Sequence, residues 1–146
     1  MIQRIQTVFL LLAIVSLALF LYLPLIQLER PNFTEDIHGI DVTYLANGYI
    51  YFINVIFAAI AAGITLINIF LFKKRSIQML FCWSAIVFIG AAFAFVFYRY
   101  QTKVFQGDVI LTYWNLLALA AALFEVLAFV YIKKDEELVK SLDRLR

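Results

Sequence analysis

The sequence has little charge and very few of the residues that build catalytic or metal sites. Asp, Glu, Lys and Arg make up only 15% of its 146 residues, and it contains one cysteine and one histidine. A single thiol cannot form an internal disulfide and does not supply a pair of metal ligands. We therefore expect Cys82 to be a small apolar filler, His38 to be a solvated turn residue, and the chain to bind no cofactor or metal.

Catalytic patterns are also missing from the sequence. It has no His-Cys or Ser-His-Asp set, no phosphate-binding glycine loop and no pair of carboxylates inside an apolar stretch. We expect neither an enzyme nor a protein that binds nucleic acid.

Apolar residues are abundant and are grouped in long stretches. They make up 65% of the chain, and the mean hydropathy of +0.93 lies far outside the range of soluble domains. The charged residues leave four apolar stretches, at residues 5–28, 48–72, 76–98 and 109–132. Each is long enough for the roughly 20 residues that a helix needs to cross a bilayer. The predicted fold is all-α, a membrane-embedded four-helix bundle that forms one domain over residues 1–146.

The first stretch also has the character of a signal peptide, because Arg4 precedes an apolar run. However, the uncharged run of 24 residues exceeds the usual apolar region of about 7 to 15 residues, and no small-residue cleavage site follows it. We expect an uncleaved first span.

The basic residues predict the orientation. Nine of the twelve Lys and Arg residues fall on the side that holds both ends of the chain and the segment between spans 2 and 3. These are Arg4, Lys73, Lys74, Arg75, Lys133, Lys134, Lys140, Arg144 and Arg146, against Arg30, Arg99 and Lys103 on the other side. By the positive-inside rule, both termini are expected in the cytoplasm. The two outer segments are too short for a folded domain, although residues 29–48 are numerous enough to cap the helix ends.

Small and polar residues recur at helical spacing within the spans, which predicts faces for helix packing. Span 2 has Asn54, Ala58, Ala61, Thr65 and Asn68; span 4 has Asn115, Ala118, Ala122 and Glu125; span 3 has Ser84, Ala91 and Ala94. Counting at about 1.5 Å per residue places Glu125, Ser84 and Thr65 in one layer, each about 12 Å from the cytoplasmic boundary. The same count places Asn54 and Asn115 in a second polar layer, about 27 to 29 Å in.

Glu125 is the one acid inside an apolar stretch. An ionised acid near the middle of a bilayer costs at least about 2.5 to 3.5 kcal/mol, so this carboxyl must be neutral or have a partner. Three interpretations remain open: a neutral acid hydrogen-bonded inside the bundle, a contact to another subunit, and a proton-coupling site.

The two ends of the chain carry a resemblance to a known family. "MIQRIQ" at the start and "IKKDEELVKSLDRLR" at the end resemble the termini of a family of small four-span inner-membrane proteins of the Bacteroidota, known only as a domain of unknown function. The resemblance implies a Gram-negative inner membrane and no particular activity. In such a membrane the glycosylation pattern at Asn32 has no role.

The C-terminal tail, residues 133–146, has its own pattern. Leu138, Leu142 and Leu145 would form a narrow apolar stripe on a helix that continues span 4, with Arg144 and Arg146 beside it. This helix either lies on the membrane surface or docks onto a partner, and these five residues are the candidates for docking.

Two functions are consistent with these features. The first is a non-enzymatic accessory or scaffold subunit of a larger inner-membrane complex, for instance in protein export or envelope assembly. Its partners would be the lipid bilayer and other inner-membrane proteins, with a homo-oligomer left open. The alternative is a small proton-coupled transporter that uses Glu125 together with Asn54, Thr65, Asn68 and Asn115.

The orientation gives the first testable prediction. A reporter that is active only outside the cytoplasm should work when fused after residue 36 or 105, and should be inactive after residue 75 or 146, because the basic residues hold that side in the cytoplasm. Reporter activity at both of the last two positions would overturn the predicted orientation.

Overall fold

Four long apolar helices dominate the chain. The computed structural model describes residues 2–30, 33–38, 53–72, 74–101 and 108–143. The helices are α1 (Ile2–Tyr22), α2 (Ile53–Phe70), α3 (Arg75–Gln101) and α4 (Leu116–Asp143), and a short 3-10 helix (Tyr113–Asn115) precedes α4. Each of the four is long and apolar enough to cross a membrane. The chain is therefore a multi-pass membrane protein, and the predicted all-α four-helix fold is confirmed.

The helices form a closed ring in which neighbours run antiparallel. Helix α1 packs against α4 and α2, and α3 packs against α2 and α4. Helices α2 and α4 therefore lie diagonally across the bundle from each other. A tight turn joins α2 to α3, with the Lys74 amide donating to the Leu71 carbonyl at 2.8 Å. We call the end of the bundle that holds this turn the turn end.

A small antiparallel sheet covers the opposite end, which we call the sheet end. Its strands are β1 (Pro24–Arg30), β2 (Phe33–His38) and β3 (Asp108–Leu111), in the order β2-β1-β3. Leu28 is paired with Glu35 on one side and Val109 on the other. A cap at this end agrees with the expectation for residues 29–48, of which 31–32 and 39–48 lie outside the described residues, whereas the strands were not predicted.

The sheet corrects the predicted end of span 1, the predicted start of span 4 and the predicted location of His38. Helix α1 ends at Tyr22 rather than at residue 28, because Pro24 lacks an amide hydrogen and disfavours helix in the residue before it. Residues 109–111, predicted to begin span 4, are in β3 (Asp108–Leu111). His38 is not a turn residue but lies in β2, where its Nδ1 is 2.6 Å from the Tyr22 carbonyl oxygen.

The buried faces of α2 and α4 consist mainly of small and polar residues. On α2 these are Asn54, Ala58, Ala61, Thr65 and Asn68, which confirms the predicted stripe. On the fourth span the side chains facing inward are Asn115 of the 3-10 helix and Ala118, Ala121, Glu125, Ala128 and Ile132 of α4, with Ala122 half-buried beside them. Small side chains let the helices approach closely, which is how membrane helices gain packing energy without a hydrophobic effect.

The predicted face of α3 is wrong. The buried residues of this helix are Gln78, Cys82, Ala85, Ile89, Ala92, Val96 and Arg99. Ser84 and Ala91 are only half-buried and Ala94 is exposed. The inward face of α3 is therefore rotated from the predicted one, and it brings Cys82 rather than Ser84 to the bundle axis.

Helix α3 also supplies a matched pair of substitutions that tests the packing. A Cβ added at Gly90 meets no atom within 4 Å, so Gly90→Ala should keep or raise stability, by up to about 1 kcal/mol. Ala92 is fully buried, so Ala92→Leu should destabilise the bundle by about 1 to 3 kcal/mol through overpacking. Thermal unfolding in detergent measures both, and equal melting temperatures for the two variants would contradict the packing described here.

Candidate functional site

Glu125 lies at the centre of the bundle with 0% of its surface exposed. Its Oε1 atom is 2.5 Å from the Oγ1 atom of Thr65. Because Thr65 is on α2 and Glu125 is on α4, this hydrogen bond crosses the diagonal of the bundle. It confirms the prediction that these two residues share one layer. Because the carboxyl group is buried within its own chain, its position favours an acid hydrogen-bonded inside the bundle over a contact to another subunit.

The hydrogen bonds of Thr65 are compatible with a protonated Glu125 carboxyl group. Thr65 Oγ1 is also 2.9 Å from the Ala61 carbonyl oxygen, yet a hydroxyl group has only one hydrogen to donate. When that hydrogen goes to Ala61, Glu125 must carry a proton and donate it to Thr65. No Lys or Arg in the described part of the chain forms an ion pair with Glu125, and a neutral acid avoids the cost of a buried charge.

Three further polar side chains continue from Glu125 towards the turn end. The Cys82 thiol faces the Glu125 carboxyl group, and Asn68 Nδ2 donates to Cys82 Sγ at 3.2 Å. Asn68 Nδ2 also lies 3.3 Å from the Gln78 carbonyl oxygen, and Gln78 Nε2 donates to the Asn68 carbonyl at 3.0 Å. We call Thr65, Asn68, Gln78, Cys82 and Glu125 the polar column.

The polar column reaches towards only one end of the bundle. Gln78 is roughly 5 Å along α3 from its first residue, and Thr65 is roughly 8 Å from the last residue of α2. On the other side of Glu125, towards the sheet end, the next layer of the core is apolar. It is formed by Ala58 and Ala61 of α2, Ile89 and Ala92 of α3, and Ala118 and Ala121 of α4, among others. This layer separates the polar column from the buried polar residues at the sheet end.

Several oxygen atoms of the column have no hydrogen-bond partner among the described residues. They are Oδ1 of Asn68, Oε1 of Gln78 and Oε2 of Glu125, and each belongs to a side chain with at most 3% of its surface exposed. Buried polar atoms without partners are few in folded proteins, because each costs about 1 to 3 kcal/mol. Three in one cluster mark this region as a candidate site.

Part of this site was predicted from the sequence, namely Glu125, Thr65 and Asn68. Gln78 was not predicted, and Cys82 was predicted to be a small apolar filler. Both missed residues lie on α3, where Gln78, Cys82, Ala85 and Ile89 recur at steps of 4, 3 and 4. Ser84 was predicted to join the layer, but its hydroxyl donates to the Leu80 carbonyl of its own helix at 3.0 Å.

The second predicted polar layer lies at the sheet end. Asn115 Nδ2 donates to the Leu25 carbonyl at 2.7 Å and to the Thr112 carbonyl at 2.8 Å. These bonds fix the start of α4 to strand β1. Asn54 and Arg99 are buried at the same end. The contacts of Asn115 are with backbone that the sheet positions, so they anchor the cap.

The predicted docking residues lie beyond the apolar part of α4. The helix continues without a break to Asp143, and we call residues 133–143 the α4 extension. Leu138 has 50% of its surface exposed. The Leu142 side chain, Arg144, Leu145 and Arg146 lie outside the described part of the chain.

Contacts with α3 hold the base of the α4 extension. The Arg75 guanidinium is 2.9 Å from the Asp135 carboxylate, and the Ser76 hydroxyl donates to Glu136 at 3.3 Å. Glu136 is also paired with Lys140 at 2.8 Å, one turn further along. The extension therefore has a fixed direction relative to the bundle.

Other kinds of site have no support in the described residues. Within them, no group of three or more His, Cys, Asp and Glu side chains could hold a metal ion. The polar column has oxygen and amide groups instead, with one carboxyl group.

Comparison with known proteins identifies a family and no more. A family model described as "Domain of unknown function (DUF4293)" matches residues 2–145, so the chain belongs to this family. Neither the curated proteins nor the solved structures contain a match.

The contact across the bundle can be tested with a double-mutant cycle. Glu125→Leu and Thr65→Val should each destabilise the bundle, and their effects should be coupled by about 1 kcal/mol because each removes the same interhelical hydrogen bond. Unfolding in detergent gives the four free energies. Ser84→Ala is the control, and its effect should add to that of Glu125→Leu. Additive effects for the pair at 65 and 125 would contradict the contact.

Proposed function

We propose that this member of the DUF4293 family is a non-enzymatic accessory or scaffold subunit of a larger protein complex in a bacterial inner membrane, in the Bacteroidota. Its partners are the lipid bilayer and other inner-membrane proteins, and a second copy of the chain is one candidate among them. Protein export and envelope assembly are the processes in which such a subunit would serve.

The observation that carries this proposal is the α4 extension. A helix that leaves the bundle without a break, and whose base is tied to α3 by Arg75 and Ser76, presents its surface in a fixed orientation. Rigid display lowers the entropy lost on binding. Leu138 and Val139 are exposed on it, among charged residues that keep the segment out of the lipid. An exposed apolar side chain on a rigid, charged helix suits a protein partner.

The outer surface of the bundle supports the same role. Large apolar side chains such as Val87, Leu80 and Leu123 face outward, whereas Glu125 and the amide side chains face inward. A surface of this kind suits lipid or the apolar face of another membrane helix. The regions available for specific polar recognition are then the two ends, which is where a scaffold binds its partners.

The proton-coupled transporter remains the second candidate, and the polar column is the observation that favours it. A membrane carboxyl group connected by polar side chains to one end of a bundle resembles half of a proton pathway. Transport also needs access from the other end, and the layer directly on that side of Glu125 is apolar, with Ala61, Ile89 and Ala121 among its residues. The geometry therefore supports the accessory role better.

The docking surface gives a direct test. Wild-type protein and the variant Leu138→Ser should be purified from the native membrane in mild detergent, and the co-purifying proteins identified. Removing a leucine that is buried on docking costs about 1.5 to 3 kcal/mol, so partner recovery should fall by about tenfold or more.

The adjacent variant Glu137→Ser is the matched control, because it places the same residue on an exposed position of the same extension. It should retain the partners. Equal recovery with both variants, or a wild-type protein that purifies alone, would refute docking through this surface.

A further inference from the structure

The polar column has the chemistry of a cation site, and we propose that Glu125, Asn68 and Gln78 bind a monovalent metal cation, Na⁺, in exchange for the proton of Glu125. The site lies between α2, α3 and α4, and Gln78 is its residue nearest to the turn end. This inference does not rest on the accessory function, because it concerns the interior of the bundle rather than the α4 extension.

The first argument is an excess of acceptor atoms. Asn68 Oδ1, Gln78 Oε1 and Glu125 Oε2 receive no hydrogen bond from the described residues. The amide hydrogens of Asn68 and Gln78 are directed instead to the Gln78 carbonyl, the Asn68 carbonyl and Cys82 Sγ. The cluster therefore holds more acceptors than donors. A hard cation satisfies such oxygens, because carboxylate and amide oxygens are the ligands that it prefers.

The second argument concerns charge. Glu125 is the one carboxylate in the polar column, so one positive charge neutralises it. A divalent cation would leave an uncompensated charge in an apolar interior, which is very costly. A monovalent cation or a proton leaves the site neutral. Na⁺ is therefore the metal ion class that matches the column.

The third argument is that Thr65 is placed to serve both states. When Glu125 carries its proton, it donates to Thr65 Oγ1 and the Thr65 hydrogen goes to the Ala61 carbonyl at 2.9 Å. When Na⁺ replaces that proton, Glu125 is a carboxylate and the Thr65 hydrogen turns to its Oε1 atom, 2.5 Å away. One cation enters as one proton leaves, so the charge of the site stays constant.

Among the side chains around the site, Glu125 is the group whose proton is exchanged. Helix α3 presents the Cys82 thiol to it, and Gln78, Asn68 and Thr65 are not titratable. Residues 5–21 of α1 and 53–70 of α2 include no Asp, Glu, Lys, Arg or His. The shorter polar route from Glu125 leads towards the turn end, because Gln78 lies about one helical turn from the start of α3 and the layer directly on the sheet side is apolar.

The test uses the purified full chain in detergent, with Na⁺ itself as the probe. Melting temperatures are measured in NaCl, KCl and choline chloride at equal ionic strength, at pH 8 and pH 6. Saturating Na⁺ should raise the melting temperature by about 5 °C at pH 8, because it binds the folded bundle and not the unfolded chain. The rise should be smaller at pH 6, where protons compete for Glu125.

Variants and a binding measurement complete the test. Glu125→Gln and Gln78→Met should abolish the Na⁺ effect, whereas Ser84→Ala, whose hydroxyl bonds within its own helix, should retain it. Equilibrium binding of radioactive Na⁺ to the wild type should approach one ion per chain, and this measurement does not depend on any variant folding. Equal melting temperatures in the three salts, or a pH dependence without an Na⁺ effect, would overturn the proposal.

Discussion

The hydrogen bond between Glu125 and Thr65 is the contact on which the rest of the bundle depends. A carboxyl group within an apolar helix must find its partner inside the protein, because lipid offers none. Thr65 stands on the helix diagonally opposite, so the two side chains meet only when all four helices pack closely around the axis. The alanines at positions 61, 92 and 121, each fully buried, make that approach possible. The hydrogen bond between Glu125 and Thr65 therefore depends on the close packing that the alanines allow.

The two ends of the bundle differ in how the chain continues beyond the helices. At the sheet end, α1 stops at Tyr22 and the chain turns into β1, which pairs with strands on both sides. Asn115 then ties the start of α4 to that sheet through the Leu25 carbonyl. At the turn end α2 and α3 are joined directly, and α4 alone continues outward. The sheet end thus carries the three-stranded cap, and the turn end carries the α4 extension and lies nearest to Gln78 of the polar column.

Sequence periodicity predicted the features that depend on one helix alone, such as which residues share a face. The stripe on α2 was found because its polar and small residues, from Asn54 to Asn68, contrast with large apolar neighbours. On α3 the contrast is weak, since alanine and serine occur on several faces, and counting depth along the axis cannot show the direction in which Ser84 points. The strands were missed because residues 24–28 continue an apolar run, and only pairing with distant segments makes them a sheet. Contacts between segments, such as that of Cys82 with Asn68, leave no local pattern.

A polar column that ends inside the bundle has consequences different from those of one that crosses it. An ion or proton that reaches Glu125 from the turn end returns the same way, since an apolar layer that includes Ala61, Ile89 and Ala121 lies directly beyond it. Occupancy then responds to conditions on one side of the membrane and moves nothing across. Such a site changes the energy of the bundle, because its ligands come from three helices and binding favours the packing that brings them together. For a protein whose role is to hold partners, a cation that consolidates the fold is chemically consistent with that role, whereas a transport cycle would require the apolar core to open.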